Sequence, residues 1–178
     1  GTGAYDNPNV AGSPTKLVTA TGITAAMTSS VADGSKPVYG YTLTSTTASA
    51  NIGAITPASL TVTGNTTSNT YTALAQTNGF TTTGLLTGNG DSVTGVSGLA
   101  TRTNVGTTAD SLSAATGAGL GNYTISYANG SLTITPAALT VTGNATSSGY
   151  TAAAQTNGFS TTGLLTGNGD SVTGVSGL

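Results

Sequence analysis

A long internal duplication constrains the fold of this chain more than any other feature of its sequence. Residues 57–99 read PASLTVTGNTTSNTYTALAQTNGFTTTGLLTGNGDSVTGVSGL, and residues 136–178 repeat this text with 37 of 43 positions identical. The two copies are 79 residues apart. A match of this length marks a tandem duplication, and a fixed period is typical of repeat architectures. We therefore expect one module that recurs along the chain.

The first 56 residues follow the same plan less closely. Asn9-Val10 aligns with Asn104-Val105, and Ile55-Thr56-Pro57 aligns with Ile134-Thr135-Pro136. The stretch between these landmarks is longer in the first segment, which indicates an insertion that includes residues 32–37.

Two placements of the repeat boundaries fit this pattern. In one, residues 1–56 are the C-terminal part of a preceding repeat, residues 57–135 form a complete repeat, and residues 136–178 are the N-terminal part of a following repeat. In the other, the units are residues 1–99 and 100–178. In the first placement residues 136–178 need partner strands from elsewhere, and another chain could supply them.

Alternation of apolar and Thr or Ser residues predicts strands along most of the chain. Leu-Thr-Val-Thr at residues 60–63 recurs at 139–142, and Tyr-Thr-Ile-Ser-Tyr at 123–127 precedes Leu-Thr-Ile-Thr at 132–135. The intervening Asn129-Gly130 predicts a hairpin, because both residues tolerate positive φ. Further strands are expected at residues 16–23, 39–46, 79–86, 92–99, 158–165 and 171–178.

Helices are not expected, because no apolar stripe of helical period spans three turns. The predicted fold class is all-β, with tandem small β-sandwich-like repeat domains. β-grasp-like units and a β-solenoid are the alternatives, although 79 residues is long for one solenoid coil.

Composition excludes most chemistry. The chain has no His or Cys, three Lys and Arg, and five acids, all Asp. It therefore lacks an imidazole base, a thiolate nucleophile and the usual zinc ligands. We expect no enzyme activity and no cofactor. Three cationic side chains are too few to neutralise a nucleic-acid phosphate backbone. The chain has no run of about 18 apolar residues, so membrane insertion is not predicted.

Two Gly-Asn-Gly-Asp segments, at residues 88–91 and 167–170, are the main candidates for a ligand-binding site. Asp91 and Asp170 are weak candidates for calcium, a cation that prefers oxygen ligands. The favoured interpretation is a structural turn that the Asp side chain caps.

The three basic residues and the aromatic residues are further candidates for functional sites. Lys16 or Lys36 could form an isopeptide bond with an Asn beside a buried acid, but a solvated Lys is favoured. Arg102 could pair with Asp91 or Asp110. A carbohydrate-stacking aromatic face is conceivable, but aromatics that recur once per repeat are expected in the core; these are Tyr71, Tyr123, Tyr127, Tyr150, Phe80 and Phe159.

A series of short motifs then follows in order along the middle of the chain. They are Leu-Thr-Val-Thr at 60–63, Tyr71, the Gly-Leu to Gly-Asp-Ser-Val stretch at 84–93, Asn-Val-Gly at 104–106, Asn-Tyr-Thr-Ile at 122–125 and Leu-Thr-Ile-Thr-Pro at 132–136. In order and spacing this series resembles the MBG and YDG repeat families of giant bacterial surface proteins.

The resemblance implies a structural segment of a secreted, filamentous-haemagglutinin-like adhesin at the cell surface of a Gram-negative bacterium. Its expected role is that of a stalk that projects or links in adhesion and biofilm. The alternative is the protomer of an extracellular fibre or matrix, assembled head to tail by strand complementation between chains. The expected partners are neighbouring repeats or other copies of the chain, with cell-surface carbohydrate or matrix as further candidates.

Overall fold

The computed structural model describes residues 2–23 and 45–176, with the backbone alone at 12–14. Over these residues the regular structure is fifteen strands and one turn of 3-10 helix at Leu120–Asn122. The prediction of an all-β chain is therefore confirmed. The strand expected at 39–46 lies almost entirely outside the described residues, as does the insertion expected at 32–37.

The chain divides into two compact units. One comprises Gly1–Ser59 with Gly121–Thr124, and the other comprises Leu60–Leu120 with Ile125–Leu178. These units are defined by packing and do not test where the repeats begin, so the repeat boundaries stay a prediction.

The first unit contains one antiparallel sheet in the order β1-β2-β3. Its strands are β1 (Thr2–Tyr5), β2 (Ala11–Thr21) and β3 (Ala48–Ile55). Ala11 pairs with Ile55 at one end of the β2–β3 ladder. The strand expected at residues 16–23 is thus found within β2.

The remaining strands form five small sheets. Two have three strands, in the orders β10-β13-β5 and β12-β4-β7, and the other three are the pairs β8–β11, β6–β9 and β14–β15. The strands are β4 (Ala58–Gly64), β5 (Thr66–Thr70), β6 (Gln76–Thr77), β7 (Phe80–Thr83), β8 (Ser92–Ser97), β9 (Thr101–Arg102), β10 (Gly106–Ala109), β11 (Ser113–Ala118), β12 (Tyr123–Ala128), β13 (Ser131–Thr135), β14 (Thr140–Gly143) and β15 (Phe159–Thr162).

The predicted hairpin at Asn129-Gly130 is wrong, although both of its strands exist. β12 pairs with β4 whereas β13 pairs with β10 and β5, so the Asn-Gly corner passes from one sheet to another. Side-chain contacts hold this corner: Asn129 Oδ1 accepts the Leu112 N–H at 2.8 Å, and the Gly130 N–H donates to Asp110 Oδ2 at 3.0 Å. These contacts replace the tight turn that the dipeptide alone favours.

The core of the second unit follows the predicted alternation. Leu60 and Val62 on β4 and Leu132 on β13 are 0% exposed, and Ile134 is 1% exposed. Leu132 and Ile134 cluster with Ala100, and Tyr71 packs against this cluster. Thr residues occupy the intervening positions, because side chains alternate between the two faces of a strand.

Asp110 is a buried polar node at the edge of this core. It is 4% exposed. Its carboxylate accepts the Ala100 N–H at 2.7 Å, the Asn78 side-chain amide at 2.9 Å and the Gly130 N–H at 3.0 Å. A Cβ on Gly64 would lie 2.0 Å from Asp110 Oδ2, so only Gly fits there. The Asp110 carboxylate therefore links its own segment to three others, at residues 78, 100 and 130.

The two sequence copies form hairpins in the same register. Thr61 pairs with Thr83 on β4 and β7, and 79 residues later Thr140 pairs with Thr162 on β14 and β15. Local details also match: the unusual positive φ of Ala73 (60°) recurs at Ala152 (57°). The pairing of these two strands and the local conformation at Ala73 and Ala152 are therefore the same in both copies.

The copies differ in their partner strands. β5 pairs with β13 and β8 with β11, whereas residues 145–149 and 171–176 carry no strand. The strand expected at residues 171–178 is thus wrong for its described part. The same sequence forms β8 in the first copy, where β11 supplies the hydrogen-bond partners that a strand needs.

Candidate interface between the sequence copies

The two Gly-Asn-Gly-Asp segments are turns of the same shape. In the first, the Gly90 N–H donates to the Thr87 carbonyl at 3.0 Å, and in the second the Gly169 N–H donates to Thr166 at 3.1 Å. Gly90 and Gly169 have φ of 80° and 79°, in the left-handed region that glycine occupies most readily. Both loops leave the hairpin at the same place in their copy.

The second of these loops contacts the first sequence copy. Asp170 Oδ2 accepts a short hydrogen bond from the Tyr71 hydroxyl, which lies 99 residues earlier in the chain. Beside it, the Asn168 side-chain amide donates to Asn104 Oδ1 at 2.7 Å. A Cβ on Gly167 would lie 3.5 Å from the Ala73 Cβ, so the backbones approach closely. We call this set of contacts the loop contact.

One hydrogen bond of the loop contact, from Tyr71 to Asp170, depends on the protonation of Tyr71. The hydrogen bond to Asp170 raises the pKa of the Tyr71 phenol, and desolvation and the negative charge of Asp170 act in the same direction. A hydrogen bond from Asn168 opposes them by lowering the pKa. Because only the neutral phenol can donate to a carboxylate, the Tyr71–Asp170 hydrogen bond exists while Tyr71 keeps its proton.

An apolar groove of about 290 Å³ adjoins the loop contact. The first copy and the residues that follow it contribute Tyr71 and Val105, and the second copy contributes mostly aliphatic residues. Its aliphatic lining includes Leu139, Leu164, Leu165 and Val172. The groove therefore joins an apolar wall to the polar loop contact.

The second copy exposes side chains that the first copy buries. Leu139 and Val141 are 45% and 39% exposed, although they correspond to the fully buried Leu60 and Val62. Tyr150 is 93% exposed, whereas the corresponding Tyr71 packs against the core cluster. In the described part of the chain, β10 to β13 cover the first copy and nothing equivalent covers the second.

The prediction that the recurring aromatics are core residues is thus only partly correct. Tyr123 is 8% exposed and Tyr71 packs on the core, but Tyr127 is 37% exposed and Tyr150 is nearly free of contacts. Phe80 and Phe159 are half-buried. For Tyr150 the prediction is wrong because no described strand occupies the place that β13 takes beside Tyr71.

Asp91 and Asp170, the calcium candidates, lie in different surroundings. Asp91 is 9% exposed, and a Cβ on Gly119 would lie 1.9 Å from its Oδ1. The Asp170 carboxylate accepts the hydrogen bond from the Tyr71 hydroxyl. Among residues 2–23 and 45–176, no group of three or more acidic, His or Cys side chains could hold a metal ion. Calcium binding at these residues stays an untested alternative to the structural turn that the sequence favours.

The expectation of a solvated Lys16 is wrong. Its side chain is 4% exposed; its Nζ lies 3.6 Å from Asp6 Oδ1 and donates to Asn7 Oδ1. The structure thus brings together a Lys, an Asn and an Asp. This acid, Asp6, is 42% exposed, so it is not the buried acid that an isopeptide bond needs. Lys36 lies outside the described residues.

Arg102 shapes a local loop. Its guanidinium donates to the Asn104 and Val105 carbonyls at 2.7 and 2.8 Å and to the Thr108 hydroxyl at 3.0 Å. Asp110 accepts the three N–H donors described above and makes no ion pair with Arg102, so that pairing is wrong. Pairing of Arg102 with Asp91 stays a prediction. The carbonyls provide closer acceptors within six residues of the arginine.

Comparison of the chain with models of protein families, with curated proteins and with solved structures found no match. Among the described residues, no helix is long and apolar enough to cross a membrane. The observations that bear on function are therefore the contacts between the sequence copies.

Proposed function

We propose that this chain is a structural repeat segment, a stalk of a secreted bacterial cell-surface adhesin that projects or links in adhesion and biofilm. The observation that carries the proposal is the loop contact, in which the second sequence copy packs directly on the first. A stalk needs consecutive modules that hold one another in place. The motif series that resembles MBG and YDG repeats points to the same role.

The loop contact can recur along an array. Its main partners are a Tyr that each copy carries, at residues 71 and 150, and a Gly-Asn-Gly-Asp loop that each copy also carries. A module that touches only its neighbours gains stability from each interface, which is the physical basis of repeat arrays. That gain matters here because the apolar core is small and a small domain is marginal alone.

The exposed strand faces suit an extracellular spacer. Only 4% of the residues are charged. On the exposed strand faces, hydroxyl pairs rather than ion pairs connect neighbouring strands. Thr107 and Thr133 hydroxyls lie 2.9 Å apart, and those of Thr77 and Thr101 lie 3.1 Å apart. Hydroxyl pairs of this kind are insensitive to salt, unlike ion pairs. The fold would therefore keep its stability across the changing ionic strength outside a cell.

Immunolabelling of the source bacterium tests this role. Antibodies raised against the complete chain are expected to label intact cells, and protease added to intact cells is expected to remove the signal. A cytoplasmic protein serves as the control that appears only after lysis. Signal confined to lysed cells would contradict a stalk at the cell surface.

A further inference from the structure

The parallel pairing of β5 with β13 provides a template for how a strand completes a hairpin copy. Residues 66–70 pair with residues 131–135 in one continuous register, in which Ile134 faces Asn69. The pairing continues beyond the ladder, because the Tyr71 N–H donates to the Thr135 carbonyl at 2.9 Å and the Thr135 hydroxyl donates to the Asn69 carbonyl at 3.1 Å. β10 holds β13 from its other side.

Residues 145–149 are a second acceptor edge of the same kind. They correspond to β5 at the offset of 79, all five are exposed, and no described strand pairs with them. The contact that positions β5 is nevertheless present: Thr146 donates to Asn157 at 2.7 Å as Thr67 donates to Asn78 at 2.9 Å. The edge is therefore already arranged to receive a strand.

β3 is a second donor strand of the same kind. β3 pairs with β2 through Ala11 and Ile55 in the antiparallel sense in which β13 pairs with β10 through Gly106 and Ile134, although the β2–β3 register, unlike that of β10–β13, shifts on both sides of the Lys16–Gly53 pair. The sequence alignment places these two pairs at corresponding positions. Among the described residues, the other edge of β3 carries no strand, and Ile52 on β3 is 69% exposed.

One difference between the donors is compensated in the fold. Leu132 of β13 fills the core, and β3 has Gly53 at that position. The ring of Tyr5 lies over this glycine, since a Cβ on Gly53 would come 2.2 Å from Tyr5 Cε1. Tyr5 is 52% exposed, so its ring supplies apolar surface that a partner can cover.

We propose that residues 145–149 bind β3 of a second copy of this chain, in parallel, so that copies join head to tail. The template sets the register: Ile52 faces Ala145, Gly53 faces Thr146 and Ile55 faces Ser148. The Tyr150 ring then packs on Ile55 of the second copy as Tyr71 packs on Ile134. The inference rests on the proposed structural role and adds to it the partner and the register.

Disulfide trapping tests this register, because the chain has no Cys of its own. Ile52→Cys and Ala145→Cys are made in separate chains, one carrying an affinity tag, and the two are mixed under mild oxidation. Directly paired residues on neighbouring strands lie about 4.8 Å apart, within the Cα separation of about 4.4–6.8 Å that a disulfide accepts. The expected product is a mixed dimer that exceeds both homodimers on a non-reducing gel.

A matched control uses Ser147→Cys in place of Ala145→Cys. Ser147 is exposed on the same strand and two residues out of register, which moves its Cα to about 8 Å from position 52, beyond the reach of a disulfide. A large excess of the in-register dimer supports the proposal. Equal yields for Ala145→Cys and Ser147→Cys, or no mixed dimer in either case, would overturn it.

Sedimentation velocity of the unmodified chain provides the second readout. The proposal expects the sedimentation coefficient to rise with protein concentration, and a monomer at every concentration contradicts it. Failure of the trapping experiment leaves surface labelling of the source cells unaffected, whereas a cytoplasmic location would refute the stalk without changing the dimer yield. The two failures are therefore distinguishable.

Discussion

Removal of the Asp110 carboxylate is expected to destabilise the second unit strongly. The Asp110→Ala change leaves the Ala100 and Gly130 N–H groups and the Asn78 amide without their acceptor at a site that is 4% exposed. A buried donor that loses its partner costs about 1–3 kcal/mol. Water can enter the space left by the side chain and recover part of this cost. We therefore expect a loss of about 3–5 kcal/mol in the free energy of unfolding.

Urea denaturation followed by circular dichroism measures this loss, and tyrosine fluorescence provides a second probe because the chain has no Trp. Asp110→Asn is expected to fall between the wild type and Asp110→Ala, since it keeps one acceptor oxygen. Asp6→Ala is the control: that carboxylate is 42% exposed and lies 3.6 Å from Lys16 Nζ, and a widely spaced pair with a solvent-exposed partner is expected to contribute less, about 1 kcal/mol. Equal losses for Asp110→Ala and Asp6→Ala would refute the role of the buried node.

Three further predictions use comparisons that the duplication itself provides. Leu60→Ala is expected to cost about 2–5 kcal/mol, whereas Leu139→Ala, at a site that is 45% exposed, should cost about 1 kcal/mol or less; urea denaturation measures both. The protection of residues 167–170 against hydrogen exchange, relative to an unstructured peptide at the same pH, should fall as pH rises through the raised pKa of Tyr71, because the phenolate cannot donate to Asp170; the same fall in Tyr71→Phe would contradict this. The urea midpoint should be nearly the same at low and high sodium chloride, since charged residues are only 4% of the chain; a large salt effect would refute the role given to the hydroxyl faces.

Local pattern was enough to predict the most regular strands, but it missed others, among them β1, β3, β5, β10 and β11. Alternation at residues 60–63 and 132–135 placed β4 and β13, and their apolar residues are the buried core. The turn shape of the Gly-Asn-Gly-Asp segments also followed from residue type, since the left-handed conformation at Gly90 and Gly169 is one that glycine provides.

Strand pairing could not be predicted in the same way. The hairpin expected at Asn129-Gly130 was wrong because contacts from Asp110 and Leu112 turn this segment into a corner between two sheets. The parallel pairing of β5 with β13 joins residues about 65 apart, and no local signal specifies such a contact. Pairing over that distance depends on the burial of the whole apolar face, which only the folded chain reveals.

The candidate interface was partly visible in the sequence. The duplication singled out the loop that contains Asp170 and also the recurrent Tyr71, but the sequence placed them in separate roles, as a turn and as a core aromatic. Their contact spans 99 residues. Asp110 belongs to no motif, and its role emerged only from donors on three separate segments.

A double-mutant cycle across the loop contact tests the central claim most directly. Tyr71→Phe and Asp170→Ala are made singly and together in the complete chain, and hydrogen exchange of residues 167–170 is measured in each. If the hydroxyl and the carboxylate bind each other, the double variant loses about as much protection as either single variant. The same cycle with Tyr150→Phe, at the exposed equivalent position, should be additive. Additive losses for Tyr71 and Asp170 would contradict direct docking of consecutive copies.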